Sequence, residues 1–159
     1  MKVCLDTNVI IDILGRTEDY PFSFMAFDVS LLRSYEVFIP VTSTVDIFYL
    51  LPRLDIASKQ KSKQLLAQLF ATAEILDARS IDSANAIESN MPDYEDALLA
   101  YMAQRNGIDV IITRNLKDFT LSPVPVLSPE EFVRIHKPKD IEYAMVKNVE
   151  APTVTNLGV

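Results

Sequence analysis

Apolar and polar positions along the chain fall into short blocks whose period changes. "KVCLD" (2–6) is a brief apolar run that reads as a buried strand. "TNVIIDILG" (7–15) then places Val9, Ile10, Ile13 and Leu14 at helical spacing, with Gly15 as the expected stop. "FSFMAFDVSLLRSY" (22–35) is again helical, and "VFIP" (37–40) is a strand halted by Pro40. "TSTVDIFYLL" (42–51) predicts a helix with Ser43 or Thr44 as N-cap, and "SKQKSKQLLAQLFATA" (58–73) an amphipathic helix with a basic first half. "EILDA" (74–78) reads as a strand and "DSANAIES" (82–89) as a short helix. "DYEDALLAYMAQRNG" (93–107) is the clearest helix, with Pro92 ahead of it and Gly107 behind. "DVIITRN" (109–115) is a strand entering a polar turn, "PVPVLS" (123–128) a brief strand, and "PEEFVRIH" (129–136) a last helix. The patterned region is expected to form one domain over 1–136. Residues 137–159 lack strong periodicity and are expected to form a C-terminal arm or tail.

Apolar strands alternating with helices predict an α/β fold with a mainly parallel sheet. The strands are almost continuously apolar, as expected where helices cover both faces. Ligands of such sheets bind outside the carboxyl ends of the strands. That rule singles out Asp6, after the first strand, and Thr113, Arg114 and Asn115, after "VII".

Composition narrows the chemistry. A chain of 159 residues suits one domain with one sizeable core. With only 3 glycines, no phosphate-cradling Gly-rich motif is present. The formal net charge of -7 argues against binding nucleic acid through surplus Lys and Arg, unless carboxylates converge on divalent cations that can then hold phosphates. Cys4 is the single cysteine, so no intrachain disulfide can form, which suits a reducing cytoplasm; its place in the first strand reads as a small buried filler. His136, the single histidine, sits in a helix's last turn and reads as a surface or helix-end residue rather than a catalytic one. No signal peptide is visible and no apolar run reaches membrane-spanning length, so a cytoplasmic protein without a membrane partner is expected.

Five acids stand at telling places, and each has a plain structural reading. Asp6 could cap the helix that follows. Asp46, three residues after Ser43, could complete a capping box. Asp93 could be an N-cap with Asp96 as its reciprocal partner, and Asp118 could be an ordinary turn residue. The set says more than its members. In a parallel layer the strand ends and the following helix starts share one edge, so Asp6, Asp46, Asp96 and Asp118 would converge. Carboxylates so placed repel one another and raise each other's pKa. An oxygen-only cluster without His or Cys suits a hard cation, Mg²⁺ or Mn²⁺.

"VCLDTNVIID", "VTSTVDIFYLL", "DYEDALLAYMAQRNGIDVIITRNLKDF" and "PVLSPEEF" together resemble the PIN domain family, in particular its bacterial branch of VapC-type toxin ribonucleases. The likeness runs from Lys2 to about Phe132. It implies a three-layer α/β/α domain and a Mg²⁺- or Mn²⁺-dependent endoribonuclease. By motif position Asp6 matches the first acid of the family, Asp46 the second (commonly Glu), and Asp96 the third. Asn115 and Asp118 cover the region of the fourth. The same likeness implies that Asp6, Asp46, Asp96 and Asp118 are the catalytic and metal-holding set. Asn8, Thr113, Arg114 and Asn115 would orient carboxylates or touch substrate phosphate. An RNA substrate, an antitoxin protein and a homodimer are the implied partners. Two alternatives stand beside this reading. One is a non-catalytic PIN-like binding module. The other is a haloacid-dehalogenase-like phosphatase, which would need an acid where Asn8 stands.

Overall fold

The computed structural model of the chain describes residues 1–144. Five strands form its sheet: β1 (Lys2–Leu5), β2 (Glu36–Pro40), β3 (Glu74–Leu76), β4 (Val110–Ile112) and β5 (Val126–Leu127). Their order is β3-β2-β1-β4-β5, and all pairs are parallel. Cys4 lies opposite Phe38 on one side and Ile111 on the other, so β1 is central. Seven α-helices surround the sheet: α1 (Thr7–Gly15), α2 (Tyr20–Leu32), α3 (Val41–Arg53), α4 (Lys59–Phe70), α5 (Ser80–Glu88), α6 (Tyr94–Arg105) and α7 (Pro129–His136).

The two-residue period of the strands divides the apolar side chains between two cores. Val3, Leu5, Ile39 and Ile112 pack with Ile10, Val29, Ile47, Leu51 and Phe132, joining α1, α2, α3, α4 and α7 to one face. Cys4, Phe38, Leu76 and Ile111 pack with Leu99, Met102 and Phe119, joining α5, α6 and a 3₁₀ turn (Leu116–Phe119) to the other. This is the three-layer α/β/α arrangement. Cys4 is fully buried, and burial pushes its thiol pKa up, as befits an inert filler.

Of three local expectations, one is corrected, one holds and one holds in part. Helix α3 starts at Val41 directly after Pro40, not at Ser43 or Thr44, and no side chain caps it. Ser43 instead lies buried, and its hydroxyl accepts a 2.7 Å hydrogen bond from Thr7. Helix α1 ends at Gly15, as expected, with Arg16 as its C-cap at a φ of +49°. Gly15 has a packing role, since a Cβ there would stand 2.6 Å from the Ile56 Cδ1. Finally, Asp93 caps α6, its Oδ1 accepting from the amides of Glu95 (2.9 Å) and Asp96 (3.1 Å). The Asp96 side chain, however, does not reach back to it.

His136 ends α7 half-buried, its ring stacked on Phe132 at 4.5 Å. Beyond α7, the Tyr143 hydroxyl donates to Asp28 at 2.6 Å, and the Tyr143 ring packs on the first core. The remainder of the arm expected over 137–159 lies outside the described residues.

Candidate active site

The strand order reverses at β1. The chain fills β1, β2 and β3 outward, then returns to place β4 on the other side of β1. Such a reversal opens a crevice at the carboxyl ends of the two strands. Asp6 stands at that crevice, its amide donating to the Ile112 carbonyl at 3.0 Å.

The capping reading of Asp6 and its place in the cleft hold together. Its Oδ1 accepts from the Thr7 amide at 2.6 Å, which caps α1. Its Oδ2 accepts from the Thr113 hydroxyl at 2.6 Å and from the Asn8 amide nitrogen. Asn8 also donates to Thr113 Oγ1 at 3.0 Å, and its Oδ1 accepts from the Arg114 amide at 3.1 Å. Asn8 is thus a brace between the ends of β1 and β4. A neutral amide so engaged gives no support to phosphatase acid–base chemistry.

Asn115 links the other expected residues. Its Nδ2 donates to Asp96 Oδ2 at 3.0 Å and to Asp118 Oδ2 at 2.6 Å. Its backbone amide donates to the Thr113 hydroxyl at 3.0 Å. Asp6, Asn8, Thr113, Asn115, Asp96 and Asp118 therefore form one connected hydrogen-bonded set. Asp46 lies half-buried in the second turn of α3, close enough to Glu95 to hydrogen-bond with it. Arg114 also lines the cleft, but its guanidinium is engaged by two other acids. Its Nε pairs with Asp12 at 2.9 Å and its Nη1 with Asp19 at 2.7 Å.

An open cleft of about 390 Å³ is lined by Asp6, Asn8, Asp93, Glu95, Asp96 and Arg114, among others. Its electrostatics are unbalanced. Burial pushes the Asp6 pKa up, against the hydrogen bonds from Thr113, Thr7 and Asn8 and the charge of Arg114. Asp96 is pushed up to about 7, first by burial and then by the charges of Asp6, Asp93, Asp118 and Glu95. Glu95 is raised by partial burial, by the charges of Asp46, Asp6 and Asp93, and by a hydrogen bond with Asp46.

A model of the PIN domain family matches residues 2–117, well over half of the chain. The chain belongs to the PIN domain family. Solved structures agree on the fold. VapBC2 from Rickettsia felis, solved bound to a DNA fragment from its promoter, matches a chain at 18% identity and a TM-score of 0.64, covering 80% of this chain and 98% of that one. A toxin–antitoxin complex from Klebsiella pneumoniae matches at 20% identity and a TM-score of 0.58, covering 80% and 97%. VapBC-1 from nontypeable Haemophilus influenzae matches at 14% identity and a TM-score of 0.60, covering 82% and 99%. No curated protein matches the sequence.

The donor set of this PIN domain suits a hard cation in one sense and not in another. It offers only carboxylate, amide and hydroxyl oxygens, and its mutual repulsion is what an ion would relieve. Yet among the described residues no three His, Cys, Asp or Glu side chains gather closely enough to cage a metal ion between them. Mg²⁺ needs no such cage, since it keeps several waters and is held by one or two carboxylates. The residues fit an open, partly hydrated site.

Two residues of interest are not among the site residues expected from the sequence. Glu95 joins the acids through Asp46, although it stands between two residues already singled out. Asp12 is a fully buried acid within an apolar helix. Its signal is that position alone, a carboxylate flanked by Ile10, Ile11, Ile13 and Leu14. No helix among the described residues is long and apolar enough to cross a membrane.

Proposed function

We propose that this PIN domain is a metal-dependent endoribonuclease that hydrolyses RNA phosphodiester bonds with Mg²⁺ or Mn²⁺, and that it is the toxin of a toxin–antitoxin pair. The observation that carries the reading is Asp96. Its carboxyl stands in an open cleft facing the charge of Asp6, with its pKa lifted to about 7 and the arginine that lines the cleft paired with Asp12 and Asp19.

Asp6 and Asp96 would hold the ion, with Asp46 and Asp118 completing the site directly or through water. When bound, such an ion lowers the pKa of water and stabilises charge on a phosphoryl group under attack. The chain's own residues supply positioning. Thr113 and Asn8 fix Asp6, and Asn115 fixes Asp96 against Asp118. A carboxylate orients the attacking water in line with the 3′ oxygen, which leaves, so the product carries a 5′-phosphate. The antitoxin partner rests on the likeness to the Klebsiella pneumoniae toxin–antitoxin complex, and a homodimer and cytoplasmic residence belong to the same reading.

The test is Asp6→Asn and Asp96→Asn, each checked for retained fold by circular dichroism. Mn²⁺ calorimetry should show binding to the natural chain and none to either variant, and RNA cleavage should fall at least about a hundredfold. Cleavage by Asp6→Asn at the natural rate would sink the mechanism. Absence of Mn²⁺ binding by the natural chain would favour the non-catalytic module.

A further inference from the structure

Arg114 lines two neighbouring clefts at once. One is the acidic cleft. The other, of about 250 Å³, is bounded by Asp19, Phe22, Ser128 and Glu130. Its guanidinium is held from behind. The Arg114 Nε meets the Oδ2 of Asp12, whose side chain is only 1% exposed and which also accepts hydrogen bonds from the hydroxyls of Thr17 and Ser23. Asp12 therefore has no freedom to follow the arginine. It holds the fork by its Nε and leaves the two terminal nitrogens to other partners, on a side chain that is 42% exposed.

Asp19 occupies one of those nitrogens and differs from Asp12 in every respect that matters. Its side chain is 46% exposed, its carboxylate pairs with the Arg114 Nη1 at 2.7 Å, and the pair sits in water, where such pairs contribute little. Asp19 also stands at the N-cap of α2 without capping it. An aspartate at an N-cap ordinarily bonds the free amides of the first turn. Here the carboxylate goes to Arg114 instead.

We infer that Asp12 is a positioning residue that presents Arg114 to a phosphate of single-stranded RNA beside the acidic cleft, and that Asp19 is a resident competitor that the phosphate displaces. The inference deepens the nuclease reading and rests on it for the identity of the strand. The exchange is one anion for another on a preset fork. A phosphodiester takes over the outer nitrogens with charge-assisted hydrogen bonds, and Asp19 returns to water or to its own helix. Without an ion the carboxylates of the cleft disfavour RNA, so this contact weighs heavily in how readily substrate docks.

Binding of a fluorescein-labelled single-stranded RNA, about a dozen nucleotides long, is measured by anisotropy in chelator, with Mn²⁺ calorimetry and cleavage kinetics run in parallel. Asp19→Asn should tighten RNA about three- to tenfold and lower KM by a similar factor with kcat unchanged. Arg114→Gln should weaken RNA, reduce the salt dependence of binding by roughly 0.7 in log–log slope, and abolish the gain from Asp19→Asn when combined with it. Asp12→Asn should behave like Arg114→Gln if it folds; Asp19→Asn, on the surface, tests the inference even if it does not. If Asp19→Asn changes only the melting temperature, or still tightens RNA in the Arg114→Gln background, the inference fails. If Mn²⁺ binding and cleavage are absent while Asp19→Asn still tightens RNA through Arg114, the nuclease reading fails and the inference stands.

Discussion

At Asp96, burial and like charge act in the same direction, which makes one side chain responsible for a large part of the pH response. Its folded pKa, about 7, lies above its ordinary 3.8, so the folded chain binds the extra proton between those values. Asp96 therefore contributes stability that is complete below 3.8 and lost as pH rises through about 7. Asp6 and Glu95 are raised too and act with the same sign. Asp77 and Asp82 are lowered, chiefly by hydrogen bonds from Arg79 and Arg105 respectively, so their contributions are lost only as pH falls below 3.8. Thermal melts in chelator should thus show the metal-free protein losing stability from pH 5 to pH 7.5, against the opposing contribution of His136, whose pKa is lowered by burial. Added Mn²⁺ should raise the melting temperature more at pH 7.5 than at pH 5.5, because a ligand carboxylate must be deprotonated. Asp96→Asn should stabilise the metal-free protein at pH 7.5 by on the order of 1–2 kcal/mol after screening and cancel the Mn²⁺ effect. A chelator melt that is flat across this range would contradict the electrostatic account. Asp6 and Asp96 were legible in the sequence because strand ends and helix starts are positions that pattern alone locates. Asp12 was legible only as a carboxylate among apolar neighbours; its partners were not, since its arginine lies 102 positions away (114 − 12).

Helix α6 carries Asp96 at one end and an ion-pair clamp at the other. Arg105 donates to Asp82 through Nε at 2.8 Å and Nη2 at 2.8 Å, and to the Asp77 carbonyl at 2.6 Å. Asp82 is 1% exposed and also accepts from the Arg79 amide, so it cannot turn to water if the arginine is removed. Arg105→Ala should cost roughly 3 kcal/mol, read by urea unfolding, because it strands a buried carboxylate. A loss below about 1 kcal/mol would mean that water reaches Asp82. Gly15→Ala on α1 tests packing rather than charge. The new methyl group would meet the tip of Ile56 and should cost about 1–2 kcal/mol, and an accompanying Ile56→Val should recover part of it. Helix positions followed from apolar spacing almost throughout, while helix starts did so less well. Ser58 and Ser128 cap α4 and α7 through their hydroxyls, as serines commonly do. Ser43 looked equally suited to capping, but β2 passes straight into α3 at Pro40 and buries it against Thr7. That outcome depends on tertiary packing, which a local pattern does not contain.

At the scale of the molecule, the parallel sheet and its two apolar faces were legible because the strands are apolar on both sides; the strand order was not, since pairing partners far apart leave no local trace. Residues 137–144 extend the fold past the expected boundary at His136. Tyr143 seals one side of α2 through its ring and its bond to Asp28. A chain ending at His136 should fold but lose about 1–3 kcal/mol relative to one ending at Ala144, measured by denaturant midpoints at equal slope. Equal midpoints would show that the segment contributes nothing. The cleft itself has one wall from each outer layer: Asp6 opens α1 on one face of the sheet, and Asp96 opens α6 on the other. Thr113 and Asn115, which steady those two acids, come later still in the sequence. During synthesis on the ribosome, therefore, the first hundred residues emerge with the acids unassembled. A truncated copy that lacks β4 and the turn after it therefore cannot hold Asp6 and Asp96 as the finished cleft holds them.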